Sequence, residues 1–590
     1  MRLTFLSAAI LLLLVVPSHR AAAAPPASAA RERLHALFDE AWEFELREDP
    51  LFASGVGDHR YDDRLPAVSV QDLLRRTNAR RAFRDRLLAI DPASLDGADR
   101  ESRALLRFQL ESAISDFELH RYRFPINADS GFHMDFAQLP EQTRFDTAAD
   151  YSRYIARLRA FPAYARENVD LLREGIRTGW TLPRAVLSGY EKTIEAHVVS
   201  DPSKSRFFRP FAGFPASVPP AERARLTAEG ESAIRDQVVP AYRAFLDFFT
   251  KEYVPAARET VGAGAMPGGK EYYAHLVRQF TTLDRTPEQV HAIGLEEVRR
   301  IRSEMDEVIR KTGFQGSFAD FLKFLRTDPR FYAKTPEELL ERASRIAKRI
   351  DGRLPAFFGR LPRQPYGVEP VPAEIAPKYT GGRYVPAPPG GKKAGTYWVN
   401  TYALESRPLY VLESLTLHEA VPGHHLQIAL ASELTDLPAF RRFLYVDAFG
   451  EGWGLYCERL GTEIGLYTDP YSDFGRLTYE MWRACRLVVD TGLHALGWSR
   501  AQAMEYLSSN TALSLHECET ETDRYISWPG QALAYKTGEL TIRALRRRAE
   551  EALGAKFDIR EFHDRILAGG TATMPVLEAR IDAWIRALSS

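Results

Sequence analysis

The spacing of apolar residues along the chain predicts a protein made mainly of helices. Apolar side chains recur every three or four residues in four long segments, as on a helix with one buried face. These segments cover residues 30–47, 71–90, 98–119 and 148–178. No segment recurs at a fixed period, so the chain is not expected to be a solenoid of stacked repeats.

Polar and helix-breaking residues mark the ends of further helices. Thr286 and Thr335 each stand before a Pro and a Glu, which places a capping hydroxyl ahead of a proline in the first helical turn. Gly313 and Gly352 follow at positions typical of helix ends. The pattern predicts one helix after each threonine.

The pattern changes between residues 361 and 395. Pro, Gly and Lys crowd together at residues 386–393, which predicts a long surface loop. Residues 395–401 form a short aromatic and β-branched run, the best strand signal in the sequence. Helical patterning resumes after Pro408. The predicted fold is mostly α, with a small β element near the segment that carries the candidate chemistry.

The same change divides the chain into two predicted regions. Residues 25–365 form a helical N-terminal region, and residues 366–590 form a catalytic region. Periodicity leaves open whether the first helices make a separate domain or wall a channel over the site, and we expect them to wall a groove. Length alone, at 590 residues, would suggest about three or four domains of ordinary size.

Residues 1–24 have the pattern of a secretory signal peptide. Arg2 gives a positive start, residues 5–16 are apolar except for Ser7, and the alanines at 21–24 offer small residues for cleavage. This apolar run is too short to cross a membrane, which needs roughly 20 helical residues. No cysteine stands near the cleavage region, which argues against a lipid anchor. We expect an exported protein, periplasmic or secreted, with no stable membrane anchor.

Charge and composition narrow the expected partners. The net charge is −1, the pI is about 7.0, and 45% of the residues are apolar. No basic tract with interleaved aromatic residues is present, so nucleic acid is not an expected partner. The expected partner is a peptide or a small amide substrate. The oligomeric state is not legible from the sequence.

The candidate chemistry begins with a His-Glu pair that departs from a common zinc motif. A hydrolytic zinc site needs about three protein ligands and a carboxylate that takes a proton from water. The usual helical arrangement, H-E-x-x-H, starts at His418 and Glu419 but has Pro422 at its second histidine position. On a straight helix, His424 lies roughly 240° around and 9 Å along from His418, too far to share one metal ion.

A bend at Pro422 and Gly423 removes this difficulty. Proline lacks an N–H and disrupts the preceding turn, and glycine tolerates unusual dihedrals, so a bulge or kink is expected between the histidines. Such a turn would carry His424 or His425 back toward His418. The alternative is that these histidines are structural residues of a helix. Three of the fourteen histidines within eight residues, beside a glutamate, favour a metal site.

The third ligand is predicted on the next helix. Glu451 lies 27 residues after His424, which allows one helix to end and the chain to return. Glu451 and Glu458 are seven residues apart and share a helix face, and Gly452 and Gly454 would allow close packing. We expect Glu451 to bind the metal and Glu458 to orient a ligating histidine. An amphipathic helix with two solvated carboxylates is the alternative.

At these residues the chain resembles the domain-of-unknown-function family 885. The matching signatures are H-E-x-x-P-G-H-H at residues 418–425, E-G-W-x-L-Y-x-E at 451–458, and the segments 528–538 and 57–62. The resemblance covers nearly all of the chain after the leader. This family is similar to the gluzincin-type metallopeptidases. The resemblance therefore implies a mostly α fold like those of angiotensin-converting enzyme, thimet oligopeptidase and the thermostable carboxypeptidases, with zinc in a deep groove.

The resemblance also implies roles for individual residues. His418 and His424 would bind zinc, because the Gly-His step that ends in His424 matches the end of the oligopeptidases' H-E-x-G-H motif. Glu451 would be the third ligand, and Glu419 would be the general base. His425 remains the alternative second histidine, because this motif is two residues longer than in those relatives.

Further residues are candidates for binding substrate and stabilising the transition state. Similar peptidases place a donor tyrosine on a late helix, in a motif like the one around Tyr535. Tyr535 is therefore the predicted donor, with Tyr525 as second choice. Arg524 and Lys536 are candidates to bind a substrate carboxylate. A structural or surface role is the alternative for each of them.

The predicted strand is also a candidate substrate-binding element. It could pair with an extended substrate through backbone hydrogen bonds, with Asn400 near the scissile bond, or it could be a structural edge strand. Together these residues predict a zinc-dependent hydrolase that cleaves short peptides by metal-activated water, with Glu419 as general base. Two alternatives remain: a zinc hydrolase of a non-peptide or cell-wall amide, and a helical binding protein without catalysis.

Overall fold

Helices form most of the regular structure of the chain, as the apolar periodicity predicted. The computed structural model describes residues 27–373, 375–387 and 393–589. The predicted signal peptide lies outside the described residues, as does most of the predicted loop at 386–393. The four long helices expected from periodicity are confirmed, and their ends differ from the predicted ones by at most three residues.

The helices that precede the sheet differ widely in length. They are α1 (Ala27–Glu48), α2 (Pro50–Gly55), α3 (Val70–Leu88), α4 (Gly97–Glu118), α5 (Phe132–Ala137), α6 (Leu139–Gln142), α7 (Ala148–Thr178), α8 (Glu191–Glu195), α9 (Pro220–Ala233), α10 (Val239–Phe248), α11 (Val254–Ala256), α12 (Gly269–Thr281), α13 (Pro287–Thr312), α14 (Phe318–Thr327) and α15 (Pro336–Asp351). Two π-helical turns join α9 to α10 and α10 to α11, which makes one continuous helical stretch.

The two predicted capping threonines begin helices as expected. The Thr286 side chain accepts a hydrogen bond from the backbone N–H of Gln289 at the start of α13. Thr335 accepts one from the backbone N–H of Glu338 at the start of α15. Gly313 ends α13 in the left-handed conformation at φ 71°, which glycine adopts without steric cost. These local signals therefore set the ends of two helices directly.

A small three-stranded sheet follows α15. Its strands are β1 (Tyr366–Pro370), β2 (Gly382–Val385) and β3 (Gly395–Val399). The order is β1-β3-β2, with β1 parallel and β2 antiparallel to β3. The predicted strand is confirmed as β3, but the suggestion that it pairs with a substrate is wrong, because both of its edges are already paired. The edge strand beside the predicted site is β2.

The remaining helices build the segment that carries the candidate chemistry. They are α16 (Leu412–Glu419), α17 (His424–Ser432), α18 (Ala439–Phe443), α19 (Asp447–Ile464), α20 (Pro470–His494), α21 (Arg500–Asn510), α22 (Leu515–Ser527), α23 (Ala534–Leu553), α24 (Ile559–Leu567) and α25 (Met574–Ser589). Over the described residues, no helix combines the length and apolar character of a membrane span.

One apolar cluster runs through most of the molecule. It extends from Ile126 to Ile585 and includes residues from both predicted regions. α13 packs along α20, and α19 packs along α23, so the helices that follow the sheet are held both to one another and to the N-terminal region. Interior packing of this kind fixes the relative positions of the helices that carry the candidate site.

α19 and α23 are in backbone contact where they cross. A Cβ placed on Gly452 of α19 would come within 2.5 Å of the Cα of Gly538 in α23. A Cβ on Gly538 would collide in turn with the backbone of Ala448. Only glycine leaves room for this crossing, so the predicted close packing at Gly452 is confirmed.

Candidate metal centre

The predicted break between the histidines is present. α16 ends at Glu419 and α17 begins at His424, so the helix is interrupted by a four-residue turn. The Val421–Pro422 peptide bond in this turn is cis. The backbone N–H of His425 donates to the carbonyl of Ala420, which closes the turn.

Two neighbours hold this turn against the rest of the molecule. A Cβ on Gly423 would collide with the backbone of His418, so the close return of the chain requires glycine here. The indole Nε1 of Trp453 in α19 donates to the carbonyl of Pro422 at 2.8 Å, and Trp453 is fully buried. The turn is thus fixed from within and by the helix that carries Glu451.

His418, His424 and Glu451 come together as a triad. His418 Nε2 and His424 Nε2 lie 3.4 Å and 3.5 Å from Glu451 Oε2, and the three ligand atoms all lie within 4.8 Å of one another. Tetrahedral ligands at about 2.1 Å from a zinc ion are themselves about 3.4 Å apart. The residues therefore fit a zinc ion by donor type and by spacing. Among the described residues, no other group of three such side chains meets this spacing.

His418 is oriented by a second carboxylate. Glu458, two turns after Glu451 on the same face of α19, places Oε1 2.8 Å from His418 Nδ1. This hydrogen bond leaves Nε2 to face the triad, as in metal sites where a carboxylate fixes the ligand tautomer. The His418 ring lies against Gly454, where a Cβ would come within 2.6 Å of the ring. The Glu458 carboxylate and the glycine together set the plane of the ring.

The charges of the triad favour a bound cation. Burial opposes protonation of His418, but its hydrogen bonds to Glu451 and Glu458 outweigh this effect and raise the pKa of His418 to about 9. Burial alone would raise the pKa of Glu451, but the charge of His424 and hydrogen bonds from both histidines hold it well below its usual range. An ionised carboxylate enclosed beside two imidazoles stabilises positive charge, as a divalent metal requires.

His425 lies outside the triad. Its Nδ1 is 3.0 Å from the hydroxyl of Tyr384, and its ring packs against that of Tyr366. Burial lowers the pKa of His425 to about 4, so its imidazole is neutral at ordinary pH. Between the two histidines that the sequence left open, the structure brings His424 to the triad and uses His425 to hold the sheet.

Glu419 is held by the edge strand of the sheet. It is the last residue of α16, directly after His418, and its Oε2 accepts a hydrogen bond from the backbone N–H of Tyr384 at 2.8 Å. Tyr384 lies in β2, and its N–H points away from β3 and toward the site. One carboxylate oxygen of Glu419 is fixed by this contact, and the other oxygen has no hydrogen bond among the described residues.

Tyr535 lies beside the triad with a hydroxyl proton free to donate. Its ring packs against that of His418, with 6.4 Å between ring centroids. Arg524 Nη2 donates to the Tyr535 hydroxyl at 3.4 Å, and the guanidinium of Arg486 stacks 4.2 Å from the ring centre. Because the hydroxyl accepts from Arg524, its own proton is left for another acceptor.

Tyr525, the second choice for this role, is engaged elsewhere. Its hydroxyl accepts from Trp482 Nε1 and Arg486 Nε and donates to Glu521, and it is buried. A tyrosine with all of these bonds made has no proton left for a substrate. Its effect on the site is indirect, because it holds Arg486 over Tyr535.

Two of the predicted substrate-binding residues are structural, and those predictions are wrong. Asn400 is fully buried, and its amide donates to the carbonyls of residues 376, 379 and 380. Lys536 is also fully buried, where it forms ion pairs with Glu297, Glu480 and Glu539. Neither side chain has a free donor to offer a substrate. Arg524, the third prediction, stays at the site through its contact with Tyr535.

The sequence did not single out Tyr445, which contacts the triad directly. Its hydroxyl donates to Glu451 Oε1 at 3.1 Å, and 46% of the residue is exposed. A Cβ on Gly450 would collide with this hydroxyl, so that glycine makes room for the tyrosine. The Gly450-Glu451-Gly452 run is the sequence signal that could have indicated a neighbour such as Tyr445. A glycine on each side of a candidate ligand indicates that other groups pack closely there.

Comparisons with known proteins agree with this fold. A protein-family model described as "Bacterial protein of unknown function (DUF885)" matches residues 50–581. A crystal structure described as "the putative lipoprotein from Colwellia psychrerythraea" is 28% identical, with a TM-score of 0.88, over 95% of this chain and 99% of its own. A second, described as "a putative lipoprotein of unknown function from Shewanella oneidensis", is 18% identical with a TM-score of 0.69, over 93% and 99%. It is similar in fold alone. No curated protein matches the chain.

Proposed function

The chain belongs to the DUF885 family, and we propose that it is an exported zinc-dependent hydrolase that cleaves the peptide bonds of short peptides. The observation that carries the proposal is the triad of His418, His424 and Glu451, with spacings that suit one tetrahedral ion. The mostly α fold, the interrupted His-Glu motif and the position of Glu451 on the nearby helix α19 also support the resemblance to gluzincin-type metallopeptidases.

Zinc would be held by the two histidine Nε2 atoms and a Glu451 oxygen. When bound in a site with an open position, zinc acts as a Lewis acid and lowers the pKa of water toward ~7. Glu458 contributes by keeping the His418 tautomer in which Nε2 is a ligand. The donor set of two imidazoles and one carboxylate is that of hydrolytic zinc sites.

Glu419 would act as the general base. The Tyr384 N–H holds one of its oxygens, which leaves the other to accept a proton from the attacking water. The same carboxyl group would then deliver that proton to the leaving nitrogen. No serine or cysteine nucleophile and no covalent intermediate are needed for this sequence of proton transfers.

Tyr535 would stabilise the oxyanion that forms at the substrate carbonyl. A hydroxyl that already accepts from Arg524 can direct its own proton at developing negative charge. Arg486, stacked on the ring, would hold this donor in place beside the triad. Tyr445 donates its hydroxyl proton to Glu451 Oε1 and would hold the ligating carboxylate in place rather than contact the oxyanion.

A peptide is the substrate that the edge strand suits best. β2 pairs with β3 on one side only, and on its other side the Tyr384 N–H faces Glu419. An extended peptide laid along this edge would make backbone hydrogen bonds one residue away from the general base. This placement favours a peptide over an amide with no extended backbone.

Export is the expectation from residues 1–24, and one relative supports it. The relative from Colwellia psychrerythraea is described as a "putative lipoprotein". Lipoproteins are proteins of the cell envelope. We therefore place the activity outside the cytoplasm.

The test combines metal analysis with one substitution. We expect purified protein to hold zinc near one per chain and to hydrolyse members of a peptide panel in a chelator-sensitive way. Glu419→Gln should keep the zinc and abolish turnover. Glu413→Gln is the matched control, because Glu413 lies six residues earlier in the same helix. Burial raises the pKa of Glu413 to about 7, so the neutral amide resembles the protonated form that burial favours.

Three results would contradict the proposal in different ways. Equal activity of Glu419→Gln and the unchanged protein would remove Glu419 from its role. Hydrolysis of N-acyl or cell-wall amides without peptide hydrolysis would assign the same chemistry to another substrate class. Protein with neither zinc nor hydrolysis, even after zinc is added, would favour a binding protein that keeps the fold.

A further inference from the structure

Two adjoining cavities lie beside α16, the helix that ends at Glu419. The outer one has a volume of about 350 Å³ and is lined in part by Lys323, Arg326 and Leu515. The inner one is about 30 Å³, which is room for about two water molecules or the end of one slim side chain. The two cavities share four wall residues: Ser406, Pro408, Ala512 and Ser514. They form a deep recess with a wide part and a narrow part.

The inner cavity lies one helical turn from the general base. Leu412 and Leu415 of α16 line it, and Val399 of β3 forms part of the facing wall. Leu415 and Glu419 are four residues apart, so they lie on one face of α16 about 6 Å apart along its axis. The cavity therefore continues along α16 from the position of Glu419, on the same side of the helix.

One carboxylate in this apolar pocket has no partner. Glu517 lines the inner cavity and is partly buried, and among the described residues no hydrogen bond or ion pair reaches its carboxylate. Glu521, one turn later on α22, shows the contrast, since Arg486, Arg524 and Tyr525 all bind it. A partly buried carboxylate without a donor is costly unless a ligand supplies one.

The positive groups nearest Glu517 do not bind it. Arg407 also lines the pocket, but it donates to the backbone carbonyls of residues 402 and 379. Burial raises the pKa of Glu517 to about 7, with a further rise from Glu521 and a lowering effect of Arg407, Arg483 and Arg486. The Glu517 carboxyl group therefore loses its proton more readily when a cation approaches, and it is mostly ionised at pH 8.

The same helix face joins this pocket to the transition-state donor. Residues 517, 521 and 524 follow at intervals of four and three, so they lie along one side of α22 over about 10 Å. Arg524, at the far end, donates to Tyr535. α22 therefore carries Glu517 at one end of this face and the arginine that contacts Tyr535 at the other.

We propose that this recess is a specificity pocket for a basic side chain, lysine or arginine, of the substrate. The aliphatic stem lies on Leu412 and Leu415, and the cationic end meets the Glu517 carboxylate. Long basic side chains suit such a site because they combine an apolar stem with a charged end. This assignment rests on the proposed function, since it names the substrate class of the same site.

The test measures kcat/KM at pH 8 for peptides that differ at one residue: lysine, norleucine or glutamate. Norleucine keeps the length of the lysine stem and removes the charge. We expect the lysine peptide to be preferred over the norleucine peptide by tenfold or more in the unchanged protein. Glu517→Gln should reduce this ratio to near one, and Glu517→Lys should turn the preference toward glutamate.

Glu519→Gln is the matched control. Glu519 lies two residues away on α22, about half exposed, where it pairs with Arg500 outside the pocket. This variant should keep the lysine preference. Circular dichroism melting of each variant separates a loss of specificity from a loss of folding, and the ratio of two substrates on the same preparation is insensitive to the amount of folded protein.

The outcomes separate the pocket from the proposed activity. Equal kcat/KM for lysine and norleucine peptides, or a lysine preference that survives Glu517→Gln, would overturn the pocket assignment while the hydrolase stands. A preference for glutamate in the unchanged protein would assign the recess to Arg407 instead. If no peptide is hydrolysed, calorimetric binding of N-acetyl-lysine amide and N-acetyl-norleucine amide still decides the pocket, and equal binding overturns it.

Discussion

Two long buried helices, one from each half of the chain, are stabilised by different chemistry. α7 in the N-terminal region buries mainly apolar and aromatic side chains. Phe161 of α7 stacks on Phe136 with 4.0 Å between ring centroids and also packs against Tyr242. α20, behind the metal centre, is buried on all sides from Phe474 to His494, and that stretch includes ionisable residues of both signs.

The charged helix carries contacts that reach the site. Arg483 lies 3.4 Å from the Glu458 carboxylate that orients His418, and Arg486 stacks on Tyr535. Buried ion pairs add little net stability compared with apolar packing, although breaking one is costly. The difference indicates that apolar packing stabilises the N-terminal region, whereas buried charges in α20 hold the side chains around the triad in place.

The largest expected effect comes from the two adjacent histidines. His424→Ala should lose both zinc and hydrolysis, because it removes one corner of the triad. His425→Ala should keep zinc near one per chain, because its ring contacts tyrosines of the sheet. Metal content by mass spectrometry checks both variants. Loss of zinc from His425→Ala with retention in His424→Ala would reverse the ligand assignment.

The next largest effect is expected on stability, from a buried charged side chain compared with an exposed one on the same helix. Lys536→Met should lower the free energy of unfolding by about 3–5 kcal/mol, because the buried carboxylates of Glu480 and Glu539 and the partly buried one of Glu297 lose their shared partner. Arg548→Met, on the same helix, removes an exposed pairing with Glu578 and should cost at most about 1 kcal/mol. Urea unfolding measures both variants. Equal losses would show that burial does not set the cost.

The stability of the protein should depend on pH through a buried carboxyl group of α20. Burial raises the pKa of Asp490 in α20 to about 7, although Tyr273 and the Gly530 N–H donate to it. Its contribution to stability is present at pH 4 and is lost as pH rises through 7, because the unfolded carboxyl ionises first. Between pH 5 and 7, ionisation of this carboxyl in the unfolded chain should lower the free energy of unfolding of the unchanged protein by about 2 kcal/mol. Asp490→Asn should not show this part of the loss. Identical pH profiles of unfolding would contradict this.

The smallest effect is expected in the aromatic region. Phe161→Leu should cost about 1–2 kcal/mol in unfolding free energy, because it removes ring stacking while keeping an apolar group. The kcat/KM per folded molecule should stay unchanged, since Phe161 contacts no group of the site. A parallel fall in kcat/KM would show that the two regions are coupled more tightly than the comparison suggests.

Much of the fold could be predicted because its signals are local. Periodicity located α1, α3, α4 and α7, and two threonine caps located the starts of α13 and α15. The turn at Pro422 and Gly423 and the position of Glu451 were predictable as well, because backbone sterics and helix spacing act over a few residues. The whole triad could therefore be proposed from the sequence.

The surroundings of the triad could not be predicted in the same way. The sequence around Lys536 does not show that its ammonium group is already paired, because its partners Glu297 and Glu480 are far away along the chain. Asn400 follows a predicted strand, and nothing local shows that its amide turns inward to three carbonyls. Glu517 is distinguished only by the absence of a partner among the described residues. Whether a polar side chain is satisfied depends on contacts that only the tertiary structure supplies.

The glycine crossing of α19 and α23 acts as a fixed spacer within the site. Glu451 and Tyr535 stand on the two helices that touch there through main-chain atoms, without side chains between them. No change of rotamer can widen or narrow that contact, so the distance between the backbones that carry Glu451 and Tyr535 is fixed. We therefore expect any widening of the site at the side where β2 meets Glu419 rather than at this crossing.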